Sequence, residues 1–252
     1  MSQPERVTAA FIIIGNEILS GRTQDANLSF LAQRLGEIGI QVAEARVIPD
    51  IEQTIINTVL ELSAKVDYVF TSGGIGPTHD DITADAIAKA FGTETFEHPE
   101  AVAILERHYA KGEFNEARRK MARVPRGATL LDNPVSSAPG FKIENVHVLA
   151  GVPKIMQAMV DMLLPTLTGG AVVESRTITV LIGESVIATE MGEVQQAFAD
   201  IDVGSYPYFK PGASGTSIVL RGSNIANLDA ALAAITEKLQ ARDIEIWAGD
   251  HK

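Results

Sequence analysis

The sequence predicts an α/β domain, a mainly parallel sheet with helices on both faces, followed by a smaller α+β domain. Three observations predict it. Apolar strand-like runs alternate with helical-period segments through about residue 165. Glycine-rich or polar segments follow the strand-like runs, where such sheets carry their ligands. After residue 173 the order changes to β-α-β-β-α. Residues 1–168 and 172–252 are therefore read as two domains, with LTGGAVV (167–173) as a linker.

Taken in order, VTAAFIII (7–14) is a continuous β-branched run, the pattern of a strand buried on both faces. The segment GNEILSGRTQD reads as a loop. Residues 25–39 place Leu28, Leu31, Leu35 and Ile38 on one helical face and end at Gly39. A second strand covers 41–48 and stops at Pro49 and Asp50. Residues 51–65 carry Ile51, Ile55, Val59 and Leu62 at helical spacing, and 66–71 form a third strand. After the loop SGGIGPTHDD, Thr83 is placed to cap a helix over 84–91 that Gly92 ends. Helices follow over 99–111 and 113–122, then short strands near 128–131, 141–144 and 146–150. Pro153 opens a helix running to about 164. The second domain reads as strand 176–182, helix 186–199, strands 203–209 and 216–221, and helix 225–242.

Composition narrows the function. The 252 residues carry a net charge of −11, which argues against a nucleic-acid partner because such partners are held largely through Lys and Arg on phosphates. An anionic small ligand would need backbone N–H groups, a helix N-terminus or a divalent cation. With no cysteine there is no disulfide, thiol chemistry or Cys-ligated zinc. The polar start over 1–7 lacks the apolar core of a signal peptide, and no apolar run approaches the roughly 20 residues that span a bilayer. The expectation is a cytoplasmic protein without a membrane partner. The five histidines are scattered, and no Gly-x-Ser-x-Gly elbow occurs.

The strongest chemical signal is TSGGIGPTHDDIT (71–83). Gly73, Gly74 and Gly76 allow backbone N–H groups to approach an anion without Cβ interference, and Ser72, Pro77 and Thr78 belong to the same cradle. A helix starting just beyond adds its positive end. Asp80 and Asp81 beside those donors would repel a phosphate unless a divalent cation bridges them, so the string implies Mg, Mn or Co. It lacks the Lys-Ser/Thr of a Walker loop and the spacing of a dinucleotide fingerprint. Four weaker segments share the sheet edge. Gly15, Asn16, Glu17, Asp25 and Asn27 follow the first strand and could bind a ribose or ring, although Asp25 could equally cap a helix. Asp50 follows the second strand. NPVSSAPGF offers Ser136, Ser137 and Gly140; AGVPK offers Gly151 and Pro153.

TSGGIGPTHDDIT, with GNEILSGRTQDAN upstream and APGF and GVPK downstream, closely resembles the CinA-type branch of the MoaB/Mog molybdopterin-binding superfamily over about 7–165. IGES, PYFKPG and SIVLRG resemble the KH-type domain that follows in CinA proteins, without the GxxG clamp or basic charge of an RNA binder. Two segments depart from the family: LAGVP stands where LPGVP is common, and Ser136 where glycine is frequent. A C-terminal nicotinamide-nucleotide deamidase domain is not expected within the 252 residues.

The resemblance implies metal-dependent hydrolysis of ADP-ribose or a related dinucleotide to AMP and ribose 5-phosphate. The alternatives are molybdopterin binding or adenylylation, and a non-catalytic nucleotide sensor. By the resemblance Asp81 holds metal and activates water, Asp50 is its partner and Asp80 a second candidate for either role. A homo-oligomer, dimer or trimer, is also implied.

Overall fold

The computed structural model describes residues 6–210 and 213–249. Most of the polar start, and residues 211–212 of the PYFKPG segment, lie outside the described residues. The chain forms two compact units, Met1–Ala171 and Val172–Lys252.

The first unit runs β1 (Val7–Ile14), α1 (Asn16–Leu19), α2 (Asn27–Gly36), β2 (Ile40–Ile48), α3 (Glu52–Ser63), β3 (Tyr68–Ser72), α4 (Thr83–Ala90), β4 (Thr95–Glu97), α5 (Pro99–His108), α6 (Glu116–Arg119), β5 (Arg123–Pro125), β6 (Thr129–Leu131), β7 (Gly140–Ile143), β8 (Val146–Leu149) and α7 (Pro153–Leu163). Its main sheet has the order β2-β1-β3-β8-β7-β6. The first four strands are parallel, and β7 and β6 extend the sheet antiparallel.

The apolar run of β1 is explained by its position. Ala10, Ile12 and Ile14 face a core that includes Ile55, Val59 and Leu62 of α3 and Ala86 and Ile87 of α4. Ala9, Phe11 and Ile13 face an opposite core with Leu31 and Leu35 of α2 and Met156, Met159 and Val160 of α7. A strand covered on both sides cannot alternate polar with apolar.

Several expectations are corrected. Ile51 is not on the buried face of α3: its backbone is extended and its side chain is 54% exposed. The 113–122 helix shrinks to the single turn of α6 and a following 3-10 turn. Residues 16–19, read as loop, form the turn α1. β4 and β5, not expected, pair as a separate two-stranded ribbon. The start of the supposed linker is docked on the first unit. Gly170 N–H donates to Ile38 O at 3.1 Å, and Tyr68 Oη meets both Thr168 N and Thr168 O.

The second unit comprises β9 (Glu174–Val180), α8 (Ala188–Ala197), β10 (Asp202–Lys210), β11 (Ala213–Gly222), α9 (Ile225–Gln240) and β12 (Ile246–Ala248). Its antiparallel sheet has the order β10-β11-β9-β12, and β12 is an addition to the expected β-α-β-β-α pattern. Ile178, Val180, Ile218 and Leu220 pack on Met191 and Val194 of α8 and Leu228, Ile235 and Leu239 of α9. Among the described residues no helix is long and apolar enough to cross a membrane.

One core residue breaks the apolar pattern. His147 of β8 is 1% exposed and stacks on Phe70 at 5.1 Å between ring centroids. Neither ring nitrogen makes a hydrogen bond among the described residues. Burial, then the charge of Lys142, pushes its pKa from 6.5 down to about 4; the nearby backbone of Asn145 and Val69 offsets part of this. An unfolded chain therefore takes up the proton first as pH falls. Stability is fullest above about pH 7 and drops by up to about 3 kcal/mol between pH 6.5 and 4. His147→Leu is expected to flatten this slope. Urea midpoints at pH 5 and 7.5 check it: an unchanged difference in the variant would show that His147 is not the cause.

Candidate functional site

The carboxyl ends of the parallel strands gather the sequence-predicted loops at one edge. The loop after β3 is built first by glycine. Gly73 has φ +105, and a Cβ there would stand 2.1 Å from Ile14 O. Gly74 has φ +68, and its Cβ would stand 2.1 Å from Thr83 Oγ1. No side chain fits at either position.

Thr83 then fixes the loop's direction. It was expected to cap α4 but instead opens that helix, and its hydroxyl donates to Gly73 O at 3.0 Å. Its N–H donates to Gly74 O at 3.0 Å. In a trans peptide the carbonyl and the next N–H point opposite ways. With both carbonyls turned to Thr83, the N–H groups of Gly74 and Ile75 are turned away from it. Those two, and that of Gly76, find no acceptor among the described residues. The N–H of Gly73, expected to be free, is taken by Leu149 O at 3.3 Å. Unpaired backbone donors side by side are a ready anion cradle.

The acids arrange themselves around Thr78. Asp81 Oδ2 accepts from Thr78 N at 2.7 Å and from its hydroxyl at 2.5 Å, and Asp80 Oδ1 also lies against that hydroxyl. One hydroxyl proton cannot satisfy two carboxylates. The Thr78 hydrogen bond, first among its causes, lowers the Asp80 pKa. The Asp81 carboxylate also fills the space a Cβ would need at Gly76, 2.7 Å away. Pro77 and Thr78 are exposed.

Asp50 is not brought to this pair. Its Oδ2 accepts from Asn16 N at 2.9 Å, tying the loop after β2 to the start of α1. β2 and β3 lie on opposite sides of β1, so their ends are about 10 Å apart. Among the described residues no group of three His, Cys, Asp or Glu is placed to hold a metal.

Two open hollows flank the glycine loop. The first, about 370 Å3, is bounded by Gly74, Gly76, Asp81, Lys120, Arg123 and Pro139. The second, about 350 Å3, has Ile13, Ile14 and Ile18 with Glu17, Asn27 and Gly151 around it; Ser72, Asp25, Pro153, Thr23 and Gln24 also line it. Asn27 is 5% exposed: its Nδ2 donates to Gly151 O at 2.9 Å, while its buried Oδ1 has no partner among the described residues. Asp25 gives both oxygens to the backbone of α2, at Asn27 N and Leu28 N, and so acts as that helix's cap. Gly15 is buried after β1, and Asn16 is exposed.

The NPVSSAPG segment contributes less than expected. Asn133 holds it together, donating to Ser136 Oγ and Ala138 O and accepting from Val135 N and Ser136 N. Ser137 takes a left-handed φ of 60 and lines neither hollow. Gly140 serves packing: a Cβ there would stand 2.3 Å from Val148 O. Lys120 and Arg123 were missed: the sequence reads Lys120 only as part of a helix over 113–122 and gives Arg123 no role.

A family model described as the probable molybdopterin binding domain matches residues 10–169. A second, described as FAD synthase, middle domain, matches 172–246, where the sequence predicts a KH-type domain. A protein of Pyrobaculum calidifontis is 38% identical over 211 residues, covering 79% of this chain and 80% of that one. A CinA-like protein of Citrifermentans bemidjiense is 40% identical over 167 residues, covering 64% of this chain; the chain spans only 40% of that relative. The crystal structure of CinA of unknown function from Thermoplasma acidophilum aligns with TM-score 0.61 and 33% identity, covering 64% of this chain and 99% of that one. The α/β fold and the CinA-like resemblance read from the motifs are thereby confirmed, and the match across more than half of its length shows that this chain belongs to the molybdopterin-binding domain family.

Proposed function

We propose that the first unit binds a small phosphorylated ring compound of the molybdopterin class. The observation that carries this reading is the set of N–H groups at Gly74, Ile75 and Gly76 without an acceptor among the described residues, the first two turned outward by Thr83. They suit a phosphate. The second hollow suits a flat heterocycle: Ile13, Ile14 and Ile18 give an apolar lining, and Asn27 Oδ1 lacks a donor that a ring N–H would supply. The family membership supports the pterin. Titration with a phosphorylated pterin, followed by its fluorescence, tests the reading. The phosphorylated compound is expected to bind at least about tenfold more tightly than its dephosphorylated form, consistent with charge-assisted hydrogen bonds to the phosphate. Equal affinity for the two would refute the phosphate cradle.

A second reading, metal-dependent hydrolysis of the anhydride bond of ADP-ribose or a similar nucleotide, is favoured by the convergence of Asp80 and Asp81 on Thr78. Two carboxyl groups sharing one hydroxyl are a fit for a hard divalent cation whose remaining oxygens come from phosphate and water. Bound there, such a cation would offset the charge that develops on the phosphoryl oxygens. Asp80 takes the partner's place that the resemblance gave to Asp50, whose carboxylate is engaged with Asn16. The match of the second unit to FAD synthase, middle domain, is in keeping with a ligand that contains a pyrophosphate link. Release of AMP from ADP-ribose with Mg, Mn or Co tests it, and no release with any of them from folded protein rejects it.

A further inference from the structure

The segment 118–126 concentrates five cations, Arg118, Arg119, Lys120, Arg123 and Arg126, in a chain of net charge −11. Four of them are neutralised. Arg118 pairs with Glu113 at 3.4 Å, Arg119 with Glu97 at 2.8 Å, Arg123 with Asp85 at 3.3 Å and Arg126 with Glu94 at 2.8 Å. Lys120 is the exception: among the described residues no carboxylate lies within ion-pair distance of it. Its ammonium donates to Thr78 O, the carbonyl of the acid-bearing loop. It lines the first hollow together with Gly74, Gly76 and Asp81.

We infer that Lys120 is a phosphate-binding residue of this site, holding the ligand's anion between its ammonium and the N–H groups of Gly74, Ile75 and Gly76. The inference rests on the phosphate cradle proposed above and adds the counter-charge which that cradle lacks.

Three features of the hollow support it. An ammonium has three donors, and Thr78 O uses one. The other cation lining the hollow, Arg123, is anchored as wall by Asp85 and by Thr95 Oγ1 at 2.7 Å. The carboxylates lining the hollow, Asp81 and Asp85, would otherwise oppose any anion. An unpaired ammonium next to unpaired N–H groups gives a phosphate charge compensation and directional hydrogen bonds at once. The Thr78 contact adds positioning, because the same ammonium then fixes the loop that carries Asp80 and Asp81.

The test uses the full chain and inorganic pyrophosphate, titrated by calorimetry at several salt concentrations. Lys120→Met is expected to weaken binding about 10- to 100-fold and to reduce its sensitivity to salt. Lys120→Arg is expected to restore most of the affinity and all of the salt sensitivity, since it keeps the charge. A latch with no role in binding would leave the salt dependence unchanged. Wild-type affinity and salt dependence in Lys120→Met overturn the assignment of Lys120 alone. Should Lys120→Met fail to fold, Lys120→Gln is compared with Lys120→Arg, and equal affinities overturn it. If wild type binds neither pyrophosphate nor a phosphorylated pterin, the cradle itself is overturned, and this inference with it.

Discussion

Gly73→Ala is expected to lose on the order of 4 kcal/mol of stability and to abolish phosphate binding. Two terms add. A residue with a Cβ held at positive φ costs about 1–3 kcal/mol. The new methyl would also stand 2.1 Å from Ile14 O, an atom of the central strand that has little room to move, and such overpacking costs about 1–3 kcal/mol. If the backbone flips to relieve the strain, Gly73 O leaves Thr83 and the outward N–H groups are lost. Either route removes the cradle. Thermal melting and pyrophosphate titration check both parts, and a variant that melts within a degree of wild type would show that the loop is not strained as described.

The second large effect concerns chemistry. If metal-dependent AMP release is observed, Asp81→Asn is expected to reduce it about 1000-fold, equivalent to about 4 kcal/mol of barrier. The amide keeps the shape over Gly76 and can still accept from Thr78 N, so the fold should survive. What disappears is the negative charge that would hold the cation. Asp50→Asn is the informative comparison. Its carboxylate is engaged by Asn16 N at 2.9 Å, so its loss is expected to affect the α1 junction and leave turnover within a few-fold of wild type. An Asp50 variant as inactive as the Asp81 variant would instead support the pairing that the resemblance implies.

Those contrasting outcomes show how much was legible in the sequence. β1 could be read outright because a strand buried on both faces leaves an unbroken apolar run. The glycine loop could be read because its residue types are dictated by backbone conformation at Gly73 and Gly74. What escaped is relational. Asp50 looked like a lone acid because its partner, Asn16, lies 34 positions earlier. Lys120 looked like one cation among five, and only the placement of four carboxylates sets it apart. β4 and β5 have three residues each, too few to show any period. Thr83 carried the right residue type for a cap, but a hydroxyl does not announce whether it will meet its own helix or the loop before it.

That hydroxyl also has a bearing on how such a protein can diversify. The orientation of the N–H groups proposed to hold the anion is set by two carbonyls held at Thr83, so it is a property of the main chain and of a residue that need not touch the ligand. Side chains at Ile75 and Pro77 can change without erasing the capacity to hold an anion. Under the proposed pterin reading, ring preference would be carried separately, by Thr23, Gln24 and Asn27 lining the second hollow. Anchoring and discrimination are thus separable traits, and a lineage could exchange one heterocycle for another through a few surface substitutions while its grip on the phosphate is inherited intact.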